Sequence, residues 1–227
     1  MRDYWEHIRA IQEAMEATKE ERDRAYREKT WSLIGIPRSH WTMELDTVPD
    51  KLEHKEKVRK WLWLYTQSRS KGEVPAGLYL YGPPGTGKTA IAAYILRWMA
   101  ERHASGYFLP ASTLVDISHR NPPMYENDTE GAWSFAQRTD VLVLDDMGFG
   151  ASDNKYGELL WTRTEELLRA RLANGVATVI TSNISVDALE KRMKRSRIAS
   201  VIEETCFTLA VRGALWRTAK SNRRGEL

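Results

Sequence analysis

Over the last two thirds of the chain, short continuous apolar runs alternate with longer segments of mixed polarity. Short apolar runs predict buried strands, whereas segments with an apolar residue every three or four positions predict amphipathic helices. Strands that alternate with helices are typical of a parallel sheet covered by helices on both faces. We therefore predict an α/β fold. The strands are placed at 77–81, 106–109, 140–145, 176–181 and 206–211, and the helices at 88–103, 112–119, 155–173 and 185–194.

The first 30 residues carry a different pattern. Apolar side chains recur along one helical face at Tyr4, Trp5, Ile8, Ile11 and Met15. The segment that follows, 18–29, is nearly all charged. So narrow an apolar stripe is compatible with two arrangements: the helix packs its first turns on the main domain, or it binds in a groove of another protein.

These patterns divide the chain into three segments. Residues 1–35 form a helical N-terminal extension that is a candidate partner-binding element, 36–217 form the main domain, and 218–227 form a basic tail. A loop around Gly35-Ile-Pro37 and a helix at 50–69 lead into the first strand.

Composition narrows the class of protein only moderately. At 227 residues, 42% of them hydrophobic, the chain is long enough for one sizeable core and short for two full domains. A net charge of +3 does not by itself indicate a nucleic-acid partner. Cys206 is the only cysteine, which excludes an internal disulfide and a cysteine-rich zinc site. Without an apparent signal peptide or a long apolar run, we expect a cytoplasmic protein with no membrane partner.

The most informative motif has the form G-x-x-x-x-G-K-[ST] and lies between the first predicted strand and the helix after it. Its glycines allow a tight turn whose N–H groups point at a phosphate, and the N-terminus of the helix adds a positive dipole. The lysine can reach the β- and γ-phosphates, and the threonine hydroxyl can bind Mg²⁺. The predicted ATP-binding residues are Gly82, Pro83, Pro84, Gly85, Thr86, Gly87, Lys88 and Thr89.

The apolar strand predicted at 140–145 ends in two carboxylates. A buried parallel strand brings its C-terminal residues to the ligand-binding edge of the sheet, beside the phosphate loop. We therefore expect Asp145 to hold Mg²⁺ together with Thr89, and Asp146 to orient or deprotonate the attacking water. Asn183 ends the next predicted strand and can hydrogen-bond that water or the γ-phosphate, although Ser-Asn is also typical of a turn or helix cap.

Together, GPPGTGKT at 82–89, LDDMG at 144–148 and ITSN at 180–183 resemble the motifs of AAA+ ATPases. More narrowly, residues 36–217 are similar to the DnaC/DnaI-type replicative helicase loaders and the IstB-type transposition helpers. The resemblance implies a P-loop NTPase sheet with a short helical N-terminal extension and a reduced or absent lid domain. It also implies ATP and Mg²⁺ as cofactors, ATP hydrolysis, and ATP-dependent self-association.

The resemblance also implies roles for arginines near the C-terminus. Arg217 matches the sensor 2 arginine that contacts the phosphates of its own nucleotide, although an ordinary surface arginine is the alternative. The family places a trans-acting arginine finger in the basic segment 192–201. The usual pattern of this finger resembles Arg-hydrophobic-x-x-Arg. If Arg197 takes the first arginine of that pattern, Val201 takes the position of the second and the finger is absent there. In a shifted register Arg195 or Arg197 supplies the charge, and a solvated basic helix is the alternative.

A missing finger would leave ATP binding intact but slow its hydrolysis, since such a residue contributes about 10³–10⁵ in rate. The clade often has an arginine at the position of Arg171, facing the subunit interface, but a cation at a helix C-terminus is an equally good explanation. The DNA-contacting element in these proteins is an extra helix between the second and third strands, here about 111–135. Its candidate contacts, which are mixed with acidic residues, are His119, Arg120, Tyr125 and Trp133.

The leading interpretation is an ATP-dependent loader that delivers a DnaB-type ring helicase onto single-stranded DNA during replication initiation. The second is a transposition helper that binds duplex DNA with a transposase. A third is a nucleotide-gated binding module that hydrolyses ATP slowly, for which Val201 is the motivating residue. A small-molecule kinase is disfavoured because Asp145, Asp146 and Asn183 match an AAA+ site.

Overall fold

A computed structural model of the chain describes residues 2–47, 52–123, 131–147, 155–192 and 197–212. The strands are β1 (Gly77–Tyr81), β2 (Gly106–Pro110), β3 (Val141–Met147), β4 (Ala177–Ser182) and β5 (Cys206–Ala210). They form one parallel sheet in the order β2-β3-β4-β1-β5. Every strand lies within two residues of its predicted bounds, and the predicted α/β fold is confirmed.

Helices cover both faces of this sheet. They are α1 (Arg2–Leu33), α2 (Leu52–Ser70), α3 (Lys88–Ala100), α4 (Leu114–Arg120), α5 (Gly131–Arg138), α6 (Lys155–Ala173), α7 (Val186–Arg192) and α8 (Ile198–Thr205). Side chains alternate along each strand, so that Leu78 and Leu80 pack with α2 and α3 while Tyr79 packs with α4 to α8. No helix among the described residues combines the length and apolar character needed to cross a membrane.

Two helices differ from the sequence-based expectation. Helix α5 was not placed from the sequence, although the resemblance implies an extra helix within 111–135, and α4 corresponds to the helix predicted at 112–119. Helix α8 was not predicted, because its β-branched residues Ile198, Val201 and Ile202 do not favour a helix on their own. These three side chains are buried against α6 and α7, and tertiary packing determines the helix.

The C-terminal end of α1 is joined to the edge of the sheet. The N–H of Gly35 donates to Ser32 O (3.1 Å) and the N–H of Ile36 to Trp31 O (2.9 Å), which is a Schellman motif. Gly35 has a positive φ of 81°, and a Cβ there would lie 2.8 Å from Phe108 O. The N–H of Phe108 on the edge strand β2 donates to Ile34 O (2.7 Å). The end of α1 therefore covers part of an otherwise open sheet edge.

Helix α1 changes character along its length. Trp31 and Ile34 belong to the core formed with α2 and α3, whereas the side chains at 18–27 are exposed. The apolar side chains predicted at positions 4 to 15 lie outside the described side chains, as does the basic tail 218–227. The last turn of the helix thus packs on the main domain, and a charged stretch precedes it.

Arg97 of α3 fastens the loop after α1 to the domain. Its guanidinium donates to the carbonyls of Trp41 and Met43 and lies 5.2 Å from the ring centre of Trp31. The Trp41 indole N–H in turn donates to Ile36 O (2.9 Å). Because the Arg97 side chain is almost fully buried, these carbonyls supply hydrogen bonds that water would otherwise provide.

Arg171 has a comparable role on the opposite face of the sheet. Of the two explanations for this residue, the position in the last turn of α6 agrees with a cation at a helix C-terminus, and an exposed interface arginine is excluded because the residue is only 1% exposed. The guanidinium donates to the Thr178 hydroxyl (2.9 Å) and to the carbonyls of Ala136 and Ala177. Burial lowers the pKa of Arg171 to about 9, with Tyr65 and Asp140 opposing that shift. The residue joins the last turn of α6 to α5 and β4.

We predict that Arg171→Met destabilises the protein by about 2–4 kcal/mol, because three buried acceptors lose their donor. Urea unfolding measures this change. Arg169→Met on the same helix is the matched control, since it removes only the exposed ion pair with Glu165 and is expected to cost at most about 0.5 kcal/mol. Equal destabilisation by the two variants would contradict the structural role of Arg171.

Candidate nucleotide-binding site

The predicted phosphate loop connects β1 to α3. Gly87 immediately precedes α3, so the free N–H groups of the first turn of the helix face the loop. Gly82 has a φ of 153°, and a Cβ there would collide with the Val211 carbonyl. Its own N–H donates to Ser182 O (3.2 Å), so the start of the loop is fixed between β4 and the residue after β5. This local geometry suits an anion placed at the end of β1.

Lys88 folds back over the loop. Its ammonium donates to the carbonyls of Gly82 and Pro83, both at 2.8 Å, and only 7% of the residue is exposed. Burial lowers the pKa of Lys88, and the negative charges of Asp146 and Asp145 oppose that shift. The lysine therefore lies near both carboxylates as well as the loop, where it can exchange its carbonyl partners for phosphate oxygens.

Asp145 and Thr89 meet as the sequence predicts. The Thr89 hydroxyl donates to Asp145 Oδ2 (3.4 Å), and the Thr181 hydroxyl donates to Asp145 Oδ1 (2.6 Å). Burial raises the pKa of Asp145, the hydrogen bonds from Thr181 and Thr89 lower it, and the charge of Asp146 raises it further. A smaller electrostatic effect of His40 opposes this rise.

One hydroxyl and one carboxylate fit a Mg²⁺ ion whose remaining ligands are water and phosphate oxygens. The described residues contain no group of three or more His, Cys, Asp or Glu side chains that could hold a metal without such help. Thr89 and Asp145 therefore remain the candidate Mg²⁺ ligands, in a site that needs the nucleotide to complete it.

Asp146 and Asn183 form a second pair at the same edge. Asn183 Nδ2 donates to Asp146 Oδ1 (3.3 Å), and both side chains are exposed. Asp146 has a positive φ of 58°, which is uncommon for a residue other than glycine. Because β4 lies between β1 and β3, the strand that carries Asn183 borders both the phosphate loop and the acidic strand. The expected proximity of these residues is thus present, and their roles remain predictions.

Of the three arginines predicted to contact the nucleotide, Arg197 lies among the described residues. Arg195 and Arg217 lie outside the described residues. Arg197 precedes α8, is exposed, and its backbone N–H donates to Glu165 Oε2 (3.3 Å). Val201 is 2% exposed and belongs to the core, so this position of the family pattern faces the interior. A finger in this segment therefore has to come from residues on the N-terminal side of α8.

The predicted DNA-contacting residues are spread over two helices. Arg120 is exposed at the end of α4, and the neighbouring His119 pairs through Nδ1 with Val115 O (2.9 Å). Trp133 on α5 is half-buried and its backbone N–H donates to Asn121 Oδ1 (2.8 Å). Tyr125 lies outside the described residues.

Sequence reasoning missed Thr181 as a hydrogen-bonding neighbour of Asp145. The signal for Thr181 was available, since a polar side chain in a predicted buried strand needs a partner.

A phosphate loop before α3, acidic residues at the end of β3 and an amide after β4 define a P-loop ATPase of the AAA+ class. Solved structures with this fold include that of DnaI, with a TM-score of 0.62 and 22% identity over 83% of this chain and 100% of that one. A structure of the DnaC helicase loader gives a TM-score of 0.61 and 23% identity over 78% and 100%. AMPPCP-bound DnaA from Aquifex aeolicus gives 0.58 and 15% over 84% and 56%.

Within this class, the IstB-like ATP binding protein family matches residues 71–218, and the chain belongs to that family. The replicative helicase loader DnaI of Bacillus subtilis is 28% identical over 152 residues, or 66% of this chain and 45% of that protein. The ORC1-type DNA replication protein 1 of Aeropyrum pernix is 38% identical over 88 residues, or 39% and 22%. The chain thus spans less than half the length of these curated relatives. The predicted resemblance is confirmed.

We predict that Lys88→Met weakens ATP binding by about 10–100-fold, because a charge-assisted contact to phosphate is lost. Titration with a fluorescent ATP analogue measures the affinity. Lys60→Met, which removes an exposed lysine from α2, is the control and is expected to leave affinity unchanged. Unchanged affinity in Lys88→Met, with an unaltered melting temperature, would contradict the assignment of the loop.

Proposed function

We propose that this chain is an ATP-dependent loader that delivers a DnaB-type replicative helicase onto single-stranded DNA during replication initiation. The observation that carries the proposal is the similarity to the replicative helicase loader DnaI over 66% of the chain. Family membership adds an ATP-binding core, and the relatives that initiate or support DNA replication point in the same direction.

In this proposal the site residues divide the work of ATP binding and hydrolysis. Lys88 binds the β- and γ-phosphates, while Thr89 and Asp145 hold Mg²⁺. When bound, Mg²⁺ neutralises charge that develops on the phosphoryl oxygens. Asp146 orients or deprotonates the attacking water. The amide of Asn183 lies 3.3 Å from the Asp146 carboxylate, fixes the direction of that carboxylate and senses the γ-phosphate.

The nucleotide controls contacts between subunits. ATP-bound copies associate laterally, and an arginine of one copy, Arg195 or Arg197, approaches the γ-phosphate of the next. The exposed position of Arg197 before α8 supports this arrangement. Arg217 contacts the phosphates in cis, and Val211 beside Gly82 supports this role because it brings the start of that C-terminal segment to the phosphate loop.

The helicase is bound by the N-terminal helix. The charged side chains at 18–27 are exposed, while Trp31 anchors the end of α1 in the core. Single-stranded DNA is bound on the side of α4 and α5, where Arg120 is exposed and Trp133 is half-buried. With these assignments the loader binds the helicase and the DNA on two separate surfaces, and one ATP site controls both.

A second candidate function is a transposition helper, which the family description favours. Its nucleotide site would be the same, and its partners would be a transposase and duplex DNA. A nucleotide-gated module with slow hydrolysis is a variant of either function, and the buried side chain of Val201 favours it because that position cannot supply a finger.

We predict that the full chain forms a stable complex with the replicative helicase of its own replicon when an ATP analogue is present. Size-exclusion chromatography with light scattering measures the complex. A chain that instead binds a transposase and ignores the helicase would establish the transposition helper.

The same assay tests the role of α1. Deleting residues 1–30 is expected to abolish helicase binding without changing ATP affinity, because Trp31 and the loop after it are retained. Helicase binding that survives the deletion would refute α1 as the helicase-binding element.

We predict that hydrolysis depends on a neighbouring subunit. Arg195→Ala or Arg197→Ala lowers turnover by about 10³-fold. Mixing that variant with Asp146→Asn restores activity, because the Asp146→Asn subunit supplies the arginine and the arginine variant supplies a site with Asp146 intact. Steady-state ATPase assays measure both. Arg27→Ala, an exposed arginine on α1, is the control. Undiminished turnover in both variants, or a lack of rescue, would favour the nucleotide-gated module.

A further inference from the structure

We propose that Thr181 is a positioning residue: its single hydroxyl group holds Asp145 and Asp146, the two acids of the nucleotide site, in place. The inference rests on the ATPase part of the proposed function and not on the identity of the partner. It follows from the pairing of β3 with β4, from two hydrogen bonds and from the burial of Thr181.

The two strands lose their regular pairing at the acidic residues. From Val141 to Leu144, the residues of β3 pair one for one with Ala177 to Ile180 of β4. The next pair is Met147 with Ser182, so that Asp145 and Asp146 together lie opposite Thr181 alone. This is a β-bulge, in which one extra residue is left without its usual backbone partner.

The Thr181 side chain replaces the missing partner. Its hydroxyl oxygen accepts the Asp146 N–H (2.8 Å), and its hydroxyl proton is donated to Asp145 Oδ1 (2.6 Å). A hydroxyl both accepts and donates, so one side chain satisfies the unpaired backbone group of one aspartate and orients the carboxylate of the other. Thr181 is 1% exposed, so water does not compete for these bonds.

The bulge determines where the carboxylates lie. In a regular strand, consecutive side chains point to opposite faces of the sheet. Here Asp146 has a φ of 58° and contacts Asn183, while Asp145 contacts Thr89. The negative charges of both carboxylates also raise the pKa of Lys88, against the effect of burial. The bulge thus brings two consecutive acids to one phosphate site, and Thr181 holds the irregular backbone that this requires.

This arrangement makes a specific demand on the side chain at position 181. Valine has the same branched shape, but it can neither accept from Asp146 N–H nor donate to Asp145 Oδ1. Serine retains the hydroxyl and loses one methyl group. Comparing Thr181→Val with Thr181→Ser therefore separates the hydrogen bonds from the packing of the strand.

The experiment measures binding of a fluorescent ATP analogue to the full chain with and without Mg²⁺, together with kcat and KM for ATP. In Thr181→Val we expect Mg²⁺-free binding within about twofold of wild type. The gain in affinity on adding Mg²⁺ and kcat should both fall by about 10–100-fold, as is usual when a residue that orients a metal ligand is removed. KM for ATP in the presence of Mg²⁺ should rise with the lost Mg²⁺ gain, because KM follows the dissociation constant when chemistry is slow.

Thr181→Ser is expected to restore both quantities to within about threefold of wild type. Thr208→Val, the same chemical change on the edge strand β5, is the matched control and should leave both unchanged. Wild-type Mg²⁺ response and kcat in Thr181→Val would overturn the proposal. A Thr181→Ser variant as defective as Thr181→Val would also overturn it, as would loss of Mg²⁺-free binding, because each points to packing alone. Failure of helicase binding would leave these readouts unchanged.

Discussion

The pairing of β3 with β4 is the constraint on which the nucleotide site depends. Four residues of each strand pair regularly and are fully buried, which fixes where each strand ends. The register then shifts at Asp145 and Asp146, and the side chain of Thr181 takes over from the backbone ladder. The regular part of the pairing is buried in the core. The irregular part allows both acids to lie at one edge, which strict alternation of side chains between the two faces of the sheet would prevent. The local strain at Asp146 is held in place by the buried strands around it.

Two buried arginines connect the layers on either side of this sheet. Arg97 satisfies the carbonyls of the loop after α1, and Arg171 satisfies those of α5 and β4. Each donates to main-chain carbonyls and not to a buried carboxylate, so neither needs an opposite charge inside the core. Such contacts specify the positions of irregular segments that apolar packing alone would leave undetermined.

Much of this architecture could be predicted from local sequence. The strands were found because short apolar runs are bounded by turn residues, and the phosphate loop because its chemistry lies in eight consecutive positions. The approach of Asp146 to Asn183 followed from a general rule, since parallel strands end at a common edge. The bulge could not be found in this way, because it depends on pairing between residues about 36 positions apart. The buried contacts of Arg171 could not be found for a similar reason, as its acceptors belong to other elements and a charge pattern on one helix does not reveal them.

The Schellman motif at Gly35 gives α1 a mechanical property. A helix of 32 residues at 1.5 Å per residue is about 48 Å long. Because its end is bonded to β2 through Ile34 and Phe108, a rotation of 10° about that joint moves the far end by about 8 Å. Conversely, a force on the far end of α1 acts on β2 over the full length of the helix. Strand β2 is the immediate neighbour of β3, which carries both acids. A change of a few degrees where α1 meets β2 thus corresponds to a displacement of several ångströms at the far end of α1.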